Sequence, residues 1–110
     1  MTEFFPGDII VVNFPFEDKP TLFKVRPVMV VSKYDQDHYR VAKITKTNLV
    51  GKVKGEWIDE NSIEYKSMNL DFPSFIKLEN LICISNTLIK KGPIGKYPSV
   101  DRLFEIHGIK

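Results

Sequence analysis

The sequence predicts a mainly β fold, a small twisted barrel carrying a short middle helix and a C-terminal helix. At 110 residues the chain is too short for more than one core, so we expect a single domain over 1–110. Its apolar runs are short, rich in β-branched and aromatic residues, and separated by turn-forming residues. Short strands at such spacing must close on themselves or be covered, which favours a barrel.

The first half of the chain predicts a strand, a loop and a hairpin. Residues 8–14 follow a Pro-Gly turn and form the first strand, whereas 15–23 contain two prolines and are expected to be an exposed loop. Residues 24–32 form the second strand, with 28–31 buried on both faces and Pro27 near the strand start or on an edge. A turn at 35–37 then leads into a third strand over 38–47.

The second half is expected to contain two helices and two further strands. Residues 51–55 form a turn or short strand, and Asn61 or Ser62 caps a helix that runs through Met68. The apolar runs 74–78 and 81–84 are expected to pair with each other. Ser99 then caps a last helix, whose apolar face is made by residues at helical spacing: Val100, Leu103, Phe104 and His107.

Composition excludes several kinds of site. With one cysteine and two distant histidines, the chain has no intrachain disulfide and no cysteine–histidine metal cluster, so we expect no metal and no cofactor. The N-terminus resembles neither a signal peptide nor a membrane span, which favours a cytoplasmic protein without a membrane partner. The net charge of +2 names no partner.

The charge distribution is more informative than the net charge. Residues 40–54 contain five basic residues and no acidic one. Such a segment fits a phosphate-bearing ligand, although a solvated strand face is the commoner explanation.

Three stretches, taken in order, resemble the MazF/PemK family of toxin endoribonucleases. Gly7-Asp8 precedes an apolar strand, Arg26-Pro27 precedes a second one, and Ile44-Thr45 ends a third. The resemblance covers roughly residues 6–89. It implies an SH3-like barrel that forms a homodimer, cuts single-stranded RNA without a metal, and is neutralised by a cognate antitoxin protein.

The resemblance also implies site residues. Arg26 is similar to the family's active-site arginine, Thr45 to the threonine that faces it, and Ser74 to a position bordering the same groove. Two features differ from the family pattern. Thr21 stands where many members have a glutamate, and Ile82 and Ser85 replace a late arginine and aspartate.

Cleavage of this kind uses the RNA's own 2′-hydroxyl, which attacks the adjacent phosphorus. Arg26 would stabilise the charge on the phosphorane, and Thr45 would donate to a phosphate oxygen or orient the 2′-hydroxyl. Glu17, with Asp18 behind it, is the candidate general base. The remaining candidates bind RNA: lysines as counter-charges to phosphates, and a loop aromatic that stacks a base, namely Lys24, Lys43, Lys46 and Phe16.

A second hypothesis uses the same barrel without catalysis. The changes at Thr21, Ile82 and Ser85 favour a module that binds RNA or a protein partner, whereas Arg26 and Thr45 favour the nuclease.

Overall fold

The chain folds into one antiparallel sheet with two α-helices. A computed structural model describes residues 3–15 and 23–109. Its elements, in chain order, are β1 (Asp8–Pro15), β2 (Phe23–Asp35), β3 (His38–Thr45), β4 (Gly55–Ile58), α1 (Ile63–Met68), β5 (Ser74–Ser85), β6 (Ile89–Lys96) and α2 (Val100–His107). The mainly β prediction with a middle and a C-terminal helix is therefore confirmed.

The sheet has six strands in the order β4-β5-β3-β2-β1-β6, and its pairing does not close among the described residues. The closed barrel predicted from strand spacing is therefore not observed, and β4 and β6 are sheet edges. The helices cover the apolar surface that closure would otherwise bury. Met68 of α1 and Leu103 of α2 pack in one cluster with Ile58 of β4 and Tyr97, which follows β6. His107 of α2 also places Nε2 3.1 Å from Glu56 Oε2 on β4.

Both faces of the central strands are buried. In β2, Met29 and Val31 belong to the cluster beneath the helices, whereas Val28 and Val30 belong to a second cluster on the opposite face. This alternation follows from the two-residue period of a strand. The prediction that residues 28–31 are buried on both faces is confirmed.

The β2–β3 hairpin is also confirmed, with Gln36 and Asp37 at its turn. The carboxylate of Asp35 accepts the backbone N–H of Asp37 at 2.8 Å and lies 2.8 Å from Nδ1 of His38. These hydrogen bonds, that of His38 above all, lower the pKa of Asp35 below its ordinary value.

The pairing between β2 and β3 stops at Pro27. Val28 pairs with Lys43, but no pair joins the two strands on the Arg26 side of Val28. On its other side, β2 is also paired with β1. That ladder includes Pro27, which lies opposite Val11, and continues towards the N-terminal end of β2. Pro27 is thus the fifth residue of β2 and not its first, but it stands at the end of the β2–β3 ladder, as expected for a residue without a backbone donor.

Backbone geometry explains this end point. The carbonyl of Val30 faces β1, since it accepts the N–H of Gly7 at 2.8 Å. Backbone polar groups alternate between the two neighbours along an antiparallel strand, so Pro27, three residues earlier, faces β3. Its nitrogen carries no hydrogen to donate to the position opposite, which the register assigns to Ile44.

Residues 74–84 form a single strand, so the prediction of two strands paired with each other is wrong. Asn80 adopts a left-handed conformation with φ 57°, as an asparagine in a turn often does, but the chain continues in the same direction. Both halves pair with β3, and the extra residues form a bulge. Between the pairs Val41↔Ile82 and Lys43↔Lys77, one residue of β3 faces four of β5.

Strand β6 has no counterpart in the sequence prediction. Its two glycines and one proline are residues that strands disfavour. Gly95 is needed there because α1 crosses directly above it. A Cβ atom at Gly95 would overlap the backbone carbonyl of Met68, and the Ser67 hydroxyl donates to the Lys96 carbonyl at 2.6 Å.

The two helices begin where the sequence predicts. Ser62 caps α1, accepting the N–H of Tyr65 at 3.1 Å, and Ser99 precedes α2 without a side-chain cap hydrogen bond. None of the helices in the described ranges is long and apolar enough to cross a membrane.

We expect Gly95→Ala to destabilise the protein by about 3 kcal/mol, the upper end of the usual cost of overpacking, because the contacting atoms are backbone and cannot rotate away. Urea denaturation measures the change. Gly51→Ala is the control: its Cβ would meet nothing within 4 Å, so only the positive φ of 82° opposes it, at about 1 kcal/mol. Equal losses of unfolding free energy in the two variants would contradict close packing of α1 on β6.

Stability should also fall in alkaline solution because of Tyr97. Burial, followed by the charges of Glu56 and Glu64, raises its pKa to about 12. The folded state holds the phenol proton more tightly than the unfolded state, whose pKa is about 10. This contribution is therefore fully present below pH 10 and is lost as the pH rises through about 12.

Urea denaturation at pH 9 and at pH 11.5 tests this expectation, and Tyr97→Phe should lose less stability between them than the wild type. Tyr34→Phe, which changes an exposed phenol, should behave as the wild type. The interpretation is wrong if Tyr97→Phe retains the full pH dependence.

Candidate functional site

A groove of about 720 Å³ opens where the β2–β3 ladder ends. Its walls are formed by β1, by the ends of β2 and β3 that are not paired with each other, by the segment between α1 and β5, and by β6. The described residues that line it are Val11, Val25, Arg26, Pro27, Ile44, Thr45, Lys46, Thr47, Asn69, Leu70, Asp71, Phe72, Ser74, Lys91 and Ile94. Three residues predicted from the sequence to form one site, Arg26, Thr45 and Ser74, are thus brought together.

Strand register explains why Arg26 and Thr45 meet. Continuing the register from Val28↔Lys43 by two residues sets Arg26 opposite Thr45. Because Pro27 ends the ladder, the two residues line the cavities that open at this point between the strands. Both are half-buried, and none of the ion pairs between described residues includes Arg26.

The hydroxyl of Thr45 has a defined orientation. Its Oγ1 accepts the backbone N–H of Thr47 at 3.3 Å, where β3 ends and the chain turns. A hydroxyl that accepts in this way keeps its own hydrogen for a second partner. Thr45 can therefore donate to an anionic oxygen placed in the groove.

Ser74 lines the groove as predicted, but its hydroxyl is engaged within the protein. It is 6% exposed, and its hydroxyl donates to the carbonyl of Phe72 at 2.8 Å. This bond fixes the turn that enters β5, so Ser74 positions the neighbouring residues.

A second cavity of about 190 Å³ adjoins the groove, sharing Arg26 and Thr45 with it. Lys43 and Lys77, which face each other across β3 and β5, also line it. With the guanidinium of Arg26, these two ammonium groups make the lining of this cavity cationic, which suits an anion.

Lys46 lies just beyond β3 and points toward the segment between α1 and β5. Its Nζ is 3.9 Å from the ring centroid of Phe72, a cation–π contact. Together the two cavities are lined by five cationic side chains among the described residues: Arg26, Lys43, Lys46, Lys77 and Lys91.

Asp71 is the one carboxylate among the described residues that line the two cavities. The sequence does not single it out. Its place in the sequence, two residues before Pro73 and the strand that carries Ser74, puts it at the entrance of β5. Its carboxylate lines the same groove as Arg26 and Thr45, which makes it a candidate general base.

Some predicted residues fall outside the described part of the chain. Glu17, Asp18, Phe16 and Thr21 lie there, so their predicted roles stay predictions. Lys24 belongs to β2 and pairs with Phe14, but its side chain is also outside the described part.

The two late departures from the family pattern lie away from the groove. Ile82 packs against the second apolar cluster, and Ser85 accepts the N–H of Thr87 at 3.3 Å at the start of a short 3-10 turn. Neither lines the groove. Charged residues at these two positions would therefore not have completed this site.

Three or more metal-ligating side chains do not cluster anywhere in the described ranges. A scan of the chain against protein-family models and a search of the curated proteins both found no match.

Proposed function

We propose that the protein is an endoribonuclease that cleaves single-stranded RNA through the substrate's 2′-hydroxyl. The observation that carries the proposal is that Arg26 and Thr45 line the same groove, at the point where β2 and β3 are no longer paired with each other. An arginine and a hydroxyl donor at one anionic centre are what stabilisation of a phosphorane requires.

In this mechanism the 2′-oxygen forms a bond to phosphorus as its proton passes to a general base. The bond from phosphorus to the 5′-oxygen then breaks, and that oxygen takes up a proton from water. The products are a 2′,3′-cyclic phosphate and a free 5′-hydroxyl. Arg26 and Thr45 donate to the phosphoryl oxygens, and Lys43 and Lys77 neutralise the adjacent phosphate from the smaller cavity.

The general base is Asp71 or Glu17. Asp71 is supported by its place in the groove, and Glu17 by its place in the first loop. Either carboxylate accepts the 2′-hydroxyl proton in the same step.

The biological setting of the proposal follows the family resemblance. We propose a fold related to the SH3-like barrel of the MazF/PemK type, with its sheet open at β4 and β6 among the described residues, acting in the cytoplasm as a homodimeric toxin that a cognate antitoxin neutralises. Induction of such a toxin arrests growth, and the Arg26→Ala variant should not.

A binding module without nuclease activity is the second candidate. It is favoured by Thr21, which stands where many members of the MazF/PemK family have a glutamate. Such a module would bind RNA or a protein partner and leave RNA intact.

Arg26→Ala should lower RNA cleavage by about 10²–10³-fold, the usual loss when one donor to a developing anion is removed. Thr45→Val should act in the same direction, and Thr45→Ser should retain activity because it keeps the hydroxyl. The assay is cleavage of a long unstructured RNA in excess EDTA, with the new ends checked for 2′,3′-cyclic phosphate.

Arg102→Ala is the matched control, since Arg102 is exposed on α2 and should leave cleavage unchanged. Urea denaturation of Arg26→Ala should be close to that of the wild type, because no ion pair with a described residue is lost. RNA that stays intact with the wild type but is still bound would favour the binding module.

Asp71→Asn separates the two candidate bases. If Asp71 takes the proton, the variant should lose about 10²–10⁴ in rate, the usual contribution of general base catalysis. Glu17→Gln should then have little effect. Asp37→Asn, in the exposed hairpin turn, is the control. The reverse result, with loss in Glu17→Gln alone, assigns the proton transfer to the first loop.

A further inference from the structure

Phe72 is the one aromatic residue among the described residues that line the groove. It is 52% exposed, so part of its ring is accessible from the groove. Among the described residues, its one ring contact is with an ammonium, Lys46 Nζ at 3.9 Å. A flexible lysine can leave that face, so the ring is available to a flat ligand.

The backbone around Phe72 is held on both sides. Asn69 ends α1 in a left-handed conformation, and its N–H donates to the carbonyl of Lys66 at 3.1 Å. Leu70 packs against the cluster beneath the helices. On the other side, the Ser74 hydroxyl donates to the Phe72 carbonyl. The segment therefore presents the ring in a fixed place, which lowers the entropy lost when a ligand stacks on it.

The charges around the ring indicate what that ligand is. Arg26, Lys46 and Lys91 line the same groove, opposed by Asp71 alone among the described lining residues. The occupant should therefore carry repeated negative charge and also present a flat apolar face. A single-stranded nucleic acid has both features, since its phosphates follow basic side chains and its unpaired bases stack on aromatic rings.

We propose that Phe72 is a nucleobase platform, on which one unpaired base of the RNA stacks next to the cleaved phosphate. Lys46 leaves the ring as the base arrives and pairs with a phosphate. The identity of the polymer as RNA rests on the proposed function. The stacking itself does not require cleavage, so the two can be tested apart.

The experiment measures binding to a short, fluorescently labelled 2′-O-methyl RNA, which keeps the bases but lacks the attacking hydroxyl. Phe72→Ala should weaken this binding by about 5- to 150-fold, the range measured for loss of one stacked base. Binding of inorganic polyphosphate, which has the charge without the bases, should change little. Tyr34→Ala removes an aromatic residue that is even more exposed than Phe72 and lies outside the groove, and this variant should bind as the wild type does.

Phe72→Trp gives a second measurement that does not depend on stability. Its added fluorescence should be quenched by the 2′-O-methyl RNA and not by polyphosphate, with the single natural tryptophan of the wild type as background. Unchanged binding by Phe72→Ala, or equal weakening for RNA and polyphosphate, overturns the platform. Absence of quenching in Phe72→Trp does so as well.

Different results would contradict the nuclease proposal. If the wild type leaves ordinary RNA intact while Phe72→Ala weakens binding selectively, the platform stands and the cleavage does not. If the wild type cleaves RNA and Phe72→Ala binds it normally, the nuclease stands and the platform does not.

Discussion

The missing backbone hydrogen of Pro27 is the constraint on which the site depends. With an ordinary residue at this position, β2 and β3 could continue their ladder, and Arg26 would lie opposite Thr45 as an ordinary cross-strand pair. Proline ends the ladder, while β1 keeps β2 straight on its other side. The result is an opening between two strands whose backbones are otherwise fixed, with a guanidinium on one side and a hydroxyl on the other.

The strands behind this opening are held more firmly than a single buried face would hold them. Residues 28–31 are buried alternately in two apolar clusters, so any movement of β2 would disturb close packing on both of its faces. A functional site needs its side chains held to within a fraction of an ångström. Strand ends supported in this way hold Arg26 and Thr45 in place, and the segment fixed by Asn69 and Ser74 provides the facing wall.

The sequence predicts those parts of the molecule whose local pattern and environment agree. The three N-terminal strands, the hairpin and both helices are predicted by alternation, turn residues and capping. The expectation that Arg26 and Thr45 lie in one site comes from the family resemblance. The sequence does not predict β6 because its glycines are required by contacts distant in sequence: Gly95 lies against α1, and Gly92 lies against Ile10 of β1. Asp71 and Phe72 are not predicted for a similar reason. They lie in the short connection before β5, and the pairing of Thr45 with Phe75 brings that connection to the end of β3.

The cationic side chains and the aromatic ring are unevenly distributed between the groove and the smaller cavity. The net charge of +2 hides a local excess, in which five cations face one carboxylate among the described lining residues. The cations are unevenly placed: Lys43 and Lys77 lie in the smaller cavity, and Lys46 lies beside the exposed ring of Phe72. A phosphate attracted to the first end would leave its neighbouring base to settle at the second, with Arg26 lining both. Charge alone would bind any polyanion, whereas the proposed stacking on Phe72 would favour a strand whose bases are unpaired.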